Sequence, residues 1–202
     1  MLAVDISNYT GPLTPELLHD FQASQVSKVI VQAVDPPSPP YPVTQTKQQI
    51  DACVAAGMPV EAYIYFWNAW PAGVARALAL LSPDKVSHVW LDVEDVSSPP
   101  EAGRIAAAIG EIQAAGFTTG IYTAKWYWPS SLGILGQPLW VAQYDGVANL
   151  EFDPFGEWTK CDMKQYKLDE ARAFGLSHYG DSQAQILAKK LHDLADEVSR
   201  LA

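Results

Sequence analysis

Cysteine is scarce in this chain of 202 residues, which holds only Cys53 and Cys161. They lie far apart and match no redox or metal-ligand spacing, so they read as two buried free thiols, with a single disulfide as the alternative. Histidine is equally thin: His19, His88, His178 and His192 are scattered, and no two stand at metal-binding spacing. Basic charge is short as well. Thirteen Lys and Arg face 23 Asp and Glu, a net charge of −10. With no basic patch to neutralise phosphates, nucleic acid is excluded as a partner. Attachment to an anionic surface by simple attraction is excluded on the same ground. No apolar run reaches transmembrane length, so no membrane partner is expected. The opening Met-Leu-Ala-Val-Asp-Ile-Ser has neither the basic region nor the cleavage site of a secretory signal. No glycine-rich phosphate loop and no Gly-x-Ser-x-Gly elbow is present, so no cofactor is expected.

What is present is a globular composition, 49% apolar and 18% charged, on a length that suits one domain. Strand-like and helix-like segments alternate. Strands are expected at Leu2–Ile6, Lys28–Val34, Pro59–Trp67, His88–Glu94, Thr118–Thr123, Leu139–Tyr144 and Met163–Lys167. Helices are expected from Thr14, from about Thr46 to Gly57, over Pro71–Leu81, and over Pro100–Ala115 before Gly116. This alternation implies parallel strands and βαβ units. The later units lack good helices, and an eighth strand is not assigned. The fold class is therefore α/β, a TIM-like (β/α) barrel with an irregular second half over residues 1–181. Residues 182–202 form a C-terminal amphipathic helix with an apolar stripe of Leu187, Leu191, Leu194, Val198 and Leu201. Its preferred reading is docking on the domain, and its alternative is self-association.

The tripeptide Asp92-Val93-Glu94 closes the apolar run that starts at His88. In a strand, residues i and i+2 project to one side, with α-carbons roughly 6.6 Å apart. Each carboxylate makes the other harder to ionise, which splits the pair into a proton donor and an anion. Glycoside hydrolysis needs that division of labour. Asp5 ends the first strand and Asp181 precedes the last helix, and in barrels such strand ends gather at the functional face. Taken alone, Asp5 is a turn aspartate and Asp181 a helix cap. A metal site built from the same four acids ranks below hydrolysis.

Seven Trp and nine Tyr give the chain many flat rings, and several sit beside these strand ends: Tyr63, Tyr65, Tyr122, Trp140, Tyr144 and Tyr166. Flat rings complement the apolar faces of sugars while Tyr hydroxyls bond sugar hydroxyls, although core packing accounts for about half of such residues.

An ordered series of motifs resembles the family-25 glycoside hydrolases, the muramidases of cell-wall lysis. Val4-Asp-Ile-Ser7 is similar to the family's first strand. The segment from Ala56 to Phe66 resembles its Gly-x-x-x-Gly-Ala-Tyr-His-Phe strand, and Leu91-Asp-Val-Glu94 its Asp-x-Glu signature. Gly120-Ile-Tyr-Thr123, Leu139-Trp-Val-Ala142 and Gln165-Tyr166 follow in order, with Gly180-Asp181 matching the final aspartate. The resemblance implies a β/α barrel that cleaves the β-1,4 bond between N-acetylmuramic acid and N-acetylglucosamine in bacterial cell-wall glycan. It implies Glu94 as general acid, Asp92 as its partner, Asp5 and Asp181 as supporting acids, and Tyr63, Tyr122 and Tyr144 along the saccharide groove. It further implies action outside the cell or at the cell wall, by phage-type release or within a secreted or virion assembly. Three departures stand out: the family's strand histidine is Ile64, its late tryptophan is Lys164, and a proline-rich loop from Asp35 replaces Thr-Glu-Gly. The competing readings are a catalytically silent glycan-binding or virion module on the same fold, and a glycosidase for a different glycan.

Overall fold

The computed structural model describes residues 1–34, 44–67, 70–95, 101–132, 136–169 and 174–180. Eight strands close into one barrel in sequence order: β1 Leu2–Ile6, β2 Val26–Val34, β3 Val60–Tyr65, β4 His88–Asp92, β5 Thr118–Thr123, β6 Leu139–Ala142, β7 Met163–Asp169 and β8 Phe174–Tyr179. The first seven run parallel to their neighbours, whereas β8 is antiparallel to both β7 and β1. Four helices follow the first four strands: α1 Pro15–Ala23, α2 Thr44–Ala55, α3 Trp70–Leu78 and α4 Ala102–Ala114. The expected irregular second half is the stretch after β5, where the described connections hold only a short 3₁₀ turn at Ser130–Leu132.

The helix ends follow local chemistry. Thr14 caps α1 by accepting from the Leu17 amide at 3.3 Å, with Pro15 at the first helical position. Beyond α2 and α4, Gly57 and Gly116 adopt φ of +69° and +92°, the left-handed conformation that stops a helix. The expected strand Pro59–Trp67 is shorter, and the expected helix Pro71–Leu81 starts at Trp70 and ends at Leu78. The strand expected through Glu94 ends at Asp92, but Val93 stays tied to β5: its amide donates to the Tyr122 carbonyl, and Thr123 Oγ1 donates to its own carbonyl. Both cysteines are free and buried. The anticipated C-terminal helix lies outside the described residues. Among those residues no helix is long and apolar enough to cross a membrane.

Two cores result from the strand alternation. Val29, Val31, Ala62, Ile64, Val89 and Leu91 face outward and pack with Ile105, Ile109 and Ile112 of α4 and the other helices. Ala3, Ile30, Trp90, Tyr122, Trp140 and Met163 fill the barrel itself. Gly120 belongs to the inner layer by necessity, because a Cβ there would overlap the Trp90 ring. The rings of Trp90, Trp140 and Tyr122, packed edge to face with centroids 5.7 and 4.4 Å apart, plug the barrel. Below the plug, Lys28 and Glu61 form a 2.7 Å ion pair, and Trp90 Nε1 donates to the same carboxylate. Above it opens the face formed by the C-terminal ends of the parallel strands.

Candidate active site

The cleft above the aromatic plug encloses about 210 Å³. Asp5 from β1, Asp92 from the last position of β4 and Glu94 just beyond it all line this space. Tyr63 and Trp140 form part of the wall and floor, and Tyr122, Tyr144 and Gln165 complete the lining. Carboxylates that are 87 residues apart in sequence meet because the closed barrel returns β1 to its own end.

The three acids hold their protons more tightly than free carboxyls. Burial pushes the Asp5 pKa from 3.8 up to about 6, against the opposing pull of hydrogen bonds from Gln165 and the Gly175 backbone. Asp92 is raised well above the ordinary range, first by burial, then by the charges of Glu94 and Asp5. Glu94 is raised by burial and then by Asp5. Asp92 is only 4% exposed, and among the described residues its Oδ1 is buried with no hydrogen-bond partner. A buried, unpaired carboxylate oxygen is costly, which adds to the proton affinity of Asp92. Glu94 keeps part of its surface open to the cleft.

Gln165 organises the wall beside Asp5. Its Nε2 donates to both oxygens of Asp5, at 2.8 and 2.9 Å. Its Oε1 accepts from Tyr122 at 2.7 Å and from Tyr144 at 2.9 Å. One amide therefore fixes an acid and two phenols. Sequence reasoning placed Gln165 in a motif but assigned the site role to Tyr166. Strand alternation carries the missing signal: buried Met163 is inside the barrel, so Gln165 is inside too. Tyr166 falls on the other side of β7, next to a register shift, and does not line the cleft. Gly175 of β8 faces the Asp5–Gln165 contact, and a Cβ there would overlap both side chains.

Tyr63, Tyr122, Trp140 and Tyr144 are in the cleft as anticipated. Tyr65 pairs in register with Asp92, and its hydroxyl is held protonated by burial and then by the charges of Asp92, Asp95 and Glu94, yet it is not part of the lining. Asp181 and Asp35 lie outside the described residues. Two of the three sequence departures are turned away from the chemistry. Ile64 is buried in the outer core, and Lys164 points out of the barrel beneath the β6–β7 connection. Among the described residues no group of three His, Cys, Asp or Glu is placed to hold a metal ion. Chemically, the arrangement can donate a proton from one carboxyl while another faces a developing positive charge.

Comparison with known proteins agrees with this fold. The chain is 38% identical over 96 residues to "Probable GH family 25 lysozyme 5" of Dictyostelium discoideum, an alignment spanning 40% of this chain and 43% of that protein. The aligned stretch is thus less than half of that relative's length. In three dimensions the chain shares the fold of a muramidase from Trichobolus zukalii, with a TM-score of 0.67, 18% identity, and coverage of 92% of this chain and 96% of that one. It shares the fold of the modular Cpl-1 endolysin, solved in complex with a peptidoglycan analogue, with a TM-score of 0.58, 17% identity, and coverage of 91% and 56%. The sequence profile of glycosyl hydrolases family 25 matches residues 4–173, most of the barrel from β1 to the start of β8, and the chain belongs to that family.

Proposed function

We propose that this domain hydrolyses the β-1,4 bond between N-acetylmuramic acid and N-acetylglucosamine in bacterial peptidoglycan. The observation that carries this reading is the meeting of Asp5, Asp92 and Glu94 in one cleft, all with raised proton affinity, above a floor of aromatic rings. Glu94, the more open member of the pair, donates its proton to the glycosidic oxygen as the C–O bond breaks. Asp92 faces the positive charge that develops on the sugar ring, as nucleophile or as support for the substrate's own acetamide. Water then adds at the anomeric carbon and returns a proton to Glu94. Tyr63, Tyr122, Trp140 and Tyr144 hold the saccharide, and Asp5 maintains the proton affinity of the pair. Action at a cell wall, outside the producing cell or in a phage-type lytic role, follows from that substrate. The outward facing of Ile64 and Lys164 favours an active enzyme over a silent glycan-binding module, because these departures leave the cleft intact.

The test is release of new reducing ends from purified peptidoglycan by the wild type beside Glu94→Gln, which keeps the shape and removes the proton donor. Release by the wild type with a loss on the order of 10²–10⁴-fold in the variant is expected for a general acid. Mass analysis of the fragments identifies the bond. No release by folded wild-type protein across several wall types would falsify the muramidase reading.

A further inference from the structure

Lys164 is the one lysine of the barrel whose side chain is wholly buried among the described residues, with 0% exposure. Its ammonium uses all of its donors on the β6–β7 connection: Asp145 Oδ2 at 3.0 Å, Asn149 Oδ1 at 2.6 Å and the Glu151 carbonyl at 2.8 Å. A buried ammonium satisfied by three oxygens of one loop fixes that loop, because releasing any of them strands a charge in the interior. Tyr144 is the second residue of that loop, and its hydroxyl donates to Gln165 and stands 3.4 Å from the Tyr122 hydroxyl inside the cleft.

Tyr144 is 46% exposed, so its ring gains little from its own packing. Its place is set by its ends. On the inner side, Gln165 holds its hydroxyl. On the outer side, the adjacent residue Lys164 holds Asp145, the next residue along the loop. Asp145 in turn accepts from the Gln143 side chain at 3.1 Å and from the Val147 amide at 2.9 Å, and Gly146 donates its amide to the Tyr166 carbonyl. Lys164 and Gln165, consecutive on β7 and pointing to opposite faces, thus grip the Tyr144 segment from both sides.

We propose that Lys164 is a positioning residue for saccharide binding: it locks the β6–β7 connection so that Tyr144 is presented to the cleft. The proposal rests on the muramidase reading for the identity of the ligand, but the locking of the segment does not. The lysine that stands at 164 in place of the family's tryptophan therefore places control of the groove wall in an ion pair.

Two readouts test this. The first needs no substrate: hydrogen exchange of the 143–151 segment in the wild type and in Lys164→Met, which retains an apolar stem. Release of the loop is expected to speed exchange there by roughly tenfold or more, about the effect of losing 1.4 kcal/mol of local stability. The second is steady-state kinetics on soluble peptidoglycan fragments. Lys164→Met is expected to raise KM roughly tenfold with kcat held within about twofold, the signature of lost uniform binding. In a Tyr144→Ala background the same substitution is expected to change KM by less than about twofold, because its effect passes through that ring. Should Lys164→Met not fold, Asp145→Asn replaces it, since that carboxylate is 34% exposed and only the ionic contact is lost. A smaller shift in the same directions is then expected. Unchanged exchange, an unchanged KM despite a lowered Tm, or KM effects that add fully with Tyr144→Ala would overturn the proposal. Failure of the wild type to turn over would sink the muramidase reading by itself, and the exchange comparison would still decide whether Lys164 locks the segment.

Discussion

At the scale of single residues, the cleft is a set of acids that raise one another's proton affinity. Asp5 acts on both members of the proposed catalytic pair, since its charge contributes to the raised pKa of Asp92 and of Glu94. Removing that charge with Asp5→Asn lowers both. Loss of the Glu94 proton then comes at lower pH, so the alkaline limb of the pH–rate profile is expected to move toward acid, while activity at the acidic end is largely retained. A profile for Asp5→Asn that overlays the wild type after scaling would remove Asp5 from this role. The acids were legible in the sequence because Asp and Glu at the ends of apolar strands have few structural explanations. Gln165 was not, since a neutral amide carries no such signature until its four contacts are known: two oxygens of Asp5 and two phenols. Tyr166 attracted attention instead because aromatic rings are conspicuous in a sequence while the face they take is not.

At the scale of elements, β8 is where sequence reasoning fell short. Phe174-Gly-Leu-Ser-His-Tyr179 has a glycine in its second position and no clean apolar alternation, both of which weaken a strand signal. The cause is functional geometry. Gly175 sits where the Asp5–Gln165 contact needs space, so the residue that blurs the strand is the one the site requires. The direction of β8 was also hidden, because the alternating pattern of the first half implies parallel strands throughout. By contrast β1 and β5 were read to the residue: Leu2-Ala-Val-Asp-Ile6 is a short, mostly apolar run before Ser7, and Thr118–Thr123 is rich in β-branched and aromatic residues just after the helix stop at Gly116. Gly175→Ala is expected to push Asp5 and Gln165 apart and to cost about 1–3 kcal/mol of stability through overpacking. It should also lower activity by more than the loss of fold explains, because Tyr122 and Tyr144 lose their common anchor. Thermal unfolding together with kcat at a temperature well below Tm measures both effects. Wild-type activity in a folded Gly175→Ala protein would show that the Asp5–Gln165 contact is dispensable.

At the scale of the whole molecule, the two ends of the barrel treat charge differently. Below the aromatic plug, Glu61 is partly buried with its partner Lys28 and also accepts from Trp90, so its charge is compensated. Above the plug, Asp92 is buried with like charges for neighbours, and among the described residues its Oδ1 has no hydrogen-bond partner. Folding therefore stabilises the protonated form of the upper acids. In the unfolded chain such an acid loses its proton near 3.8, whereas in the native state it keeps it to higher pH. Between those values the native state binds more protons, so stability falls as pH rises through the window and stays reduced above it. For Asp5, with its native value of about 6, the reduction amounts to about 3 kcal/mol above the window. Asp92 has the same sign and a wider window. Asp92→Asn removes this burden without changing shape. At neutral pH it is expected to raise Tm, by about 2–4 °C for each kcal/mol relieved in a domain of this size. Near pH 3 the two proteins should melt together, because wild-type Asp92 is then neutral in both states. The same substitution should abolish most turnover, so stability would rise as function is lost. Parallel melting curves with a constant Tm gap across pH 3–8 would mean that Asp92 ionises in the fold as freely as in the unfolded chain, and that its burial carries no such cost.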